Sequence, residues 1–272
     1  MSEFDKFEES NKNLSKYTIK SYKTQYNKLT KLLKKDISDM SEKEIIEAAK
    51  GLENINSTNA MLNIGIVFKK FYEQPYDELV LTRESNKQKV KEHVKAKNTE
   101  KEQLPSYTDL TDMLDKFYEN DDFRNYIILY LLIEFNVRNQ DLNISFVDLK
   151  KDMTDKDANY IWIDRRGGKV VYYRNAYKTA KTYGGKTHNI TDDRFTDAVK
   201  KYRKAEKTDK LIPNEDNTGH FVDKATHNLG SGNIYKILVK HFEGDLQKIK
   251  QMGENRGTSI DTTVENYDTD NK

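Results

Sequence analysis

The sequence predicts a mainly α-helical protein with one small antiparallel β-sheet, arranged as two domains. Three observations predict it. Apolar residues recur at helical spacing up to about Leu81 and again from Ser106 to Phe135. A stretch after Asp148 alternates with a period of two, and between Arg83 and Gln103 large apolar residues almost vanish, leaving a lysine-rich joint. At 272 residues the chain suffices for two domains of ordinary size, each able to bury its own core. Charged residues make up 34% of it against 35% hydrophobic, and the mean hydropathy is -0.94. The apolar residues nonetheless fall in periodic runs, which favours folded helices with solvated faces over disorder.

The first ordered stretch is read from Ser15, where SKYTIKSYKTQYNKLTKLL sets Tyr22, Tyr26, Leu29, Leu32 and Leu33 on a helix behind a Ser or Thr cap. Ser41, three residues before Glu44, opens a second helix through a capping box, and Gly51 stops it. A third, capped by Ser57 or Thr58, carries Leu62, Ile66, Phe68, Phe71 and Tyr72 and is closed by Pro75. The segment 84–103 then holds Lys87, Lys89, Lys91, Lys95, Lys97 and Lys101 with only two valines among them. A run of this kind is a solvated linker on its plain reading and a basic strap along a phosphate backbone on its sharper one. Ser106 or Thr108 caps a helix through Phe117, and an apolar helix follows from Phe123 to Phe135. Next, YIWIDRRGGKVVYYRNAYKTAKTYGGKTHNIT reads as a meander of about three antiparallel strands with glycine pairs at its turns. Helical patterning returns from Asp193 to Lys204 and across Ile234 to Met252. The domain boundaries are therefore placed at 1–83 for a helical domain, 84–103 for the basic linker and 104–272 for a mixed second domain.

Several classes of function are excluded by composition. Without cysteine there is no disulfide framework, no thiolate nucleophile and no cysteine zinc site, and the five histidines lack metal-binding spacing. The longest apolar stretch, Tyr126 to Phe135, is too short to cross a bilayer, and MSEFDKFEES lacks a signal peptide's basic start and apolar core. A protein of the cytoplasm or nucleus with no membrane partner is expected. Net charge is only +2, but seven Lys or Arg and no acid lie between Arg165 and His188. Arg165, Arg166, Lys169, Arg174 and Lys186 of that run, with Lys87, Lys89 and Lys91 of the linker, are the expected contacts to double-stranded DNA. The abundance of Lys, Asn, Asp and Tyr points to an AT-rich genome such as viruses and mobile elements carry.

Five segments in order resemble the tyrosine recombinase, or phage integrase, family. SKYTIKSYKTQYNKLTKLL followed by STNAMLNIGIVFKKFYE is similar to its core-binding domain, and LPSYTDLTDML to the start of its catalytic domain. LLIEFNVRNQDLNISFVDLK resembles the segment with the first catalytic arginine, which puts Arg138 at that arginine and Asp141 at the acidic position after it. GTSIDTTVENYDT resembles the carboxy-terminal motif and puts Tyr267 at the nucleophile. The resemblance covers nearly the whole chain.

It implies DNA breaking and rejoining through a 3'-phosphotyrosine intermediate, with no cofactor and no metal. Two arginines clamp the phosphate oxygens in such a reaction, and a lysine or histidine protonates the leaving 5' oxygen. Arginine suits the clamp because its planar fork donates two parallel hydrogen bonds and stays charged. For the general acid the resemblance offers Lys181 first, then Lys178, with Lys186 nearby. For the second arginine the expected motif reads His227-Asn228-Leu229-Gly230, glycine standing where arginine belongs, and no arginine lies between Arg203 and Arg256. His227 is left as the motif's histidine, and Arg256 as a displaced phosphate contact or a plain surface arginine. The alternative to an active recombinase is a degenerate member that clamps DNA in an architectural, packaging or regulatory role. Assembly of several copies on the DNA is compatible with either.

Overall fold

The computed structural model of the chain describes residues 2–100, 104–164, 168–260 and 262–263, leaving aside the side chains of 87, 88, 91 and 93–100. Tyr267, Arg165, Arg166 and the side chains of Lys87 and Lys91 lie outside what is described. The chain divides into two compact units, Met1–Lys101 and Glu102–Lys272.

Five helices make up the described part of the first unit: α1 (Glu3–Ser10), α2 (Lys16–Leu33), α3 (Glu42–Lys50), α4 (Ile55–Phe71) and α5 (Asp77–Glu100). The chain is thus ordered well before Ser15, where the sequence reading began it. Ser2 and Asp5 close a capping box that starts α1, and Phe4 and Phe7 stack on Phe68 with ring centroids 6.0 and 4.8 Å away. Those two rings are what a short acidic segment hides from a periodicity count. Glu3 is buried with them, its carboxylate accepting from Ile37 N–H at 2.9 Å and Ser38 N–H at 2.8 Å, so it caps a 3₁₀ turn far along the chain. The Ser41–Glu44 capping box of α3 is as expected. α4 starts earlier than expected, because Asn54 Oδ1 accepts from Asn56 and Ser57 N–H and takes the cap from Ser57 or Thr58. α5 runs through most of the lysine-rich segment as one helix.

The second unit opens with α6 (Tyr107–Glu119) and α7 (Phe123–Glu134). α7 is buried on nearly every side, from Phe123 through Ile133, and forms the centre of this unit's core. Then come β1 (Ile144–Val147), β2 (Asn159–Ile163), β3 (Val170–Arg174), α8 (Ala180–Tyr183), β4 (Lys186–Ile190), α9 (Asp193–Glu206), α10 (Thr218–Ala225), α11 (Gly230–His241) and α12 (Leu246–Arg256). The sheet has the order β1-β2-β3-β4, with β1 parallel to β2 and the other pairs antiparallel. The expected three-stranded antiparallel meander is therefore a four-stranded mixed sheet. ISFV is too short to show alternation, and β1 exists because the neighbouring β2 offers it a partner. The helical patterning across Ile234 to Met252 is met by two helices, α11 and α12, divided at Gly244, whose φ of 92° belongs to glycine. Among the described residues no helix is long and apolar enough to cross a membrane.

Candidate functional site

Arg138 lies just beyond the end of α7. Asn136, at φ 51°, turns the chain there, and the Arg138 N–H donates to Asp141 Oδ2 at 2.8 Å. Asp141 has no solvent exposure. The same Oδ2 accepts from Nη2 of Arg174, which is also fully buried. The main-chain oxygen of Asp141 accepts from Asn159 Nδ2 at 3.0 Å and from the Tyr172 hydroxyl at 3.2 Å. The turn carrying Arg138 is thereby tied to β2 and β3 by buried polar contacts.

The second half of the site is the last turn of α12. Arg138 Nη1 donates to the carbonyl of Arg256, Arg174 Nη1 to that of Asn255, and Lys186 Nζ to that of Glu254. The Thr179 hydroxyl donates to the Gly257 carbonyl at 2.8 Å. Four donors from the Arg138 turn and the β3–β4 segment thus take four successive carbonyls at a helix C-terminus, where unpaired oxygens and the negative end of the helix dipole favour cations. Gly257 is required for this approach: its φ is 68°, and a Cβ there would stand 2.3 Å from Thr179 Oγ1. Arg174 also covers the Tyr177 ring, 4.5 Å from its centroid, with Lys186 at 5.4 Å from the same ring. Arg256 is 4% exposed and lies over Tyr235 at 4.2 Å.

Burial and the crowding of positive charge set the electrostatics. Burial first, then Arg174, lowers the pKa of Lys186 below the usual lysine value. Burial also raises Asp141, with the neighbouring Arg174 opposing it. His188, in β4, is lowered to about 4 by burial, then by Arg174 and Lys186, and its Nε2 is shielded, with no hydrogen-bond partner among the described residues. It is held neutral in the fold, whereas the unfolded chain binds a proton below its ordinary 6.5. His188 therefore contributes stability that is complete above pH 6.5 and is lost as pH falls towards 4, by up to about 3 kcal/mol. Urea denaturation of the wild type and His188→Gln between pH 7 and 4 should show the substitution flattening that loss. Equal slopes would refute it.

Not every expected site residue reaches this cluster. Arg138 and Lys186 do. Lys178 and Lys181, the preferred general acids, are exposed, on the stretch between β3 and β4 that runs out through α8 before Lys186 returns to the sheet. His227 is exposed, at φ 47°, with its ring against Phe117 of α6. Arg174 and Arg256, expected at the surface, are buried in the cluster. Nor does the basic run form one strip. Val170 pairs with Ile190 at one end of the sheet and Arg174 with Lys186 at the other, so the exposed Lys169 is a strand length from Lys186. Lys89 is exposed on α5.

A second basic feature escaped the sequence reading. Between Glu9 and Asp36 there are eight lysines and no acid. Lys16, Lys20 and Lys31 form an exposed stripe along α2, and Lys23, also exposed, lies over the ring of Phe4 at 5.5 Å beside the buried Tyr26. The signal was available, but the acidic residues just before it masked it in a count over the whole terminus. Among the described residues no group of three His, Cys, Asp or Glu side chains could hold a metal ion.

No protein-family model matches the chain, and no curated protein matches it. Among solved structures, the crystal structure of XerA recombinase aligns over 98% of this chain and 91% of that one, with 13% sequence identity and a TM-score of 0.39. A likeness of that size leaves the chain's family open.

Proposed function

We propose that the chain is a double-stranded-DNA-binding protein of the tyrosine recombinase type, which breaks and rejoins a strand through Tyr267. The observation that carries this reading is the convergence of Arg138, Arg174 and Lys186 on adjacent oxygen acceptors. Donors set to meet neighbouring carbonyl oxygens suit the nonbridging oxygens of one phosphodiester. A phosphate also competes well for them, since hydrogen bonds between charged partners are about twice as strong as neutral ones. In this reading Arg138 grips the phosphate, and Arg174, anchored by Asp141, takes the place left by the missing second arginine. The Tyr267 hydroxyl oxygen loses its proton to solvent as it bonds to phosphorus, the bond from phosphorus to the 5' oxygen breaks, and Lys186 protonates the leaving oxygen and regains a proton from solvent. Burial suits Lys186 to give up that proton. Rejoining reverses the step. A clamp without chemistry is the second reading, and the full burial of Arg174 favours it.

The lysine stripe of α2 supplies sequence-independent affinity in both readings. Duplex binding should weaken steeply with salt, and replacing Lys16, Lys20 and Lys31 with glutamine should reduce the slope of log K against log salt by about 2 to 3, near 0.9 for each phosphate no longer neutralised. Fluorescence anisotropy with a labelled duplex measures this. Absence of duplex binding at low salt would defeat the DNA reading altogether.

A further inference from the structure

A cleft of about 230 Å³ lies beside the cation cluster, and Asn255 belongs to both: it lines the cleft, and its main-chain carbonyl accepts from Arg174. Rings form much of its wall. His188 and Phe135 lie 4.6 Å apart by centroid on one part, and Tyr107 is backed by His241, stacked at 4.1 Å with an interplanar angle of 14°. Glu134 and Gln251 add a carboxylate and an amide. His188 lines this wall as well, and because its Nε2 is shielded it offers an occupant ring surface and not that nitrogen.

We infer that this cleft receives a single nucleobase, that of an unpaired or extruded nucleotide whose phosphate sits in the cation cluster. The inference rests on the DNA reading above and names a contact which that reading does not require. Aromatic walls with a few amide and carboxylate groups are what a flat, polar-edged heterocycle needs, because its faces stack and its edges both donate and accept. The volume lies below the range of roughly 300–1,000 Å³ for drug-sized ligands, which fits one base and not two. A base inside a duplex must leave its stack to enter, and this costs least where the DNA is mismatched, nicked or single-stranded.

Two measurements separate this inference from the DNA reading. Saturation-transfer NMR with thymidine and deoxyadenosine 5'-monophosphates, and with deoxyribose 5-phosphate as control, probes the cleft without any duplex. Transfer to the base protons is expected with the wild type and its loss with Gln251→Leu, an exposed position where the change leaves the core intact. Base protons no better saturated than the control sugar's, or unaffected by Gln251→Leu, would overturn the inference even if duplex binds. Anisotropy with a fully paired duplex and with one carrying a single unpaired nucleotide tests both ideas together. The unpaired form should bind about ten-fold more tightly, and Gln251→Leu should erase that preference while leaving paired affinity unchanged. Paired binding with no preference overturns the base site alone, whereas no binding to either duplex overturns the DNA reading.

Discussion

Replacing Arg138 by alanine is expected to lower covalent product on a nicked suicide duplex by about 10²–10³-fold, the usual consequence of losing a donor aimed at transition-state charge. Duplex affinity should fall only by the worth of one phosphate contact. Arg138 is the half-exposed arginine of the cluster, and its turn is fixed from below by Asp141. Its removal should therefore leave the fold in place, which circular dichroism checks. Tyr267→Phe, which deletes one hydroxyl, should abolish the product and leave affinity nearly unchanged. Binding and chemistry then separate cleanly. A wild type that yields no covalent product, with Arg138→Ala costing affinity alone, selects the clamp. An adduct that survives Tyr267→Phe would place the nucleophile elsewhere and void the carboxy-terminal resemblance.

Arg174→Ala should cost about 3–5 kcal/mol in urea denaturation, because it leaves the Asp141 carboxylate buried and uncompensated. The loss has other components. The Asn255 carbonyl forfeits its donor and Tyr177 the cation over its ring. Asp141→Asn removes the partner charge, and the two substitutions together should cost clearly less than their sum, since each destroys the same pair. A loss below about 1 kcal/mol for Arg174→Ala would mean that water reaches Asp141 readily and that the pair is not held dry in the fold.

The segments most legible in the sequence were those whose structure is set locally. Ser41 and Glu44 form their capping box within one turn, and the apolar run of α7 is buried almost throughout, as its composition requires. The three strands of the meander could be read because alternation and glycine turns are short-range signals. Where the reading failed, a distant partner made the difference: α1 is held by Phe68, and β1 by β2.

The site divides in the same way. The sequence by itself determined that Arg138 ends an apolar helix with Asp141 three residues on, that no arginine stands in the 227–230 motif, and that lysine crowds the segment after β3. Only the tertiary structure decided which cations meet. It buried Arg174 on Asp141, left Lys178 and Lys181 in solvent, and brought Lys186 to the end of α12. The physical reason is that a charge's role depends on its neighbours and its burial. Arg174 and Asp141 are thirty-three residues apart along the chain, and the pairing and desolvation that set their role arise only when the sheet and the helix ends close around them.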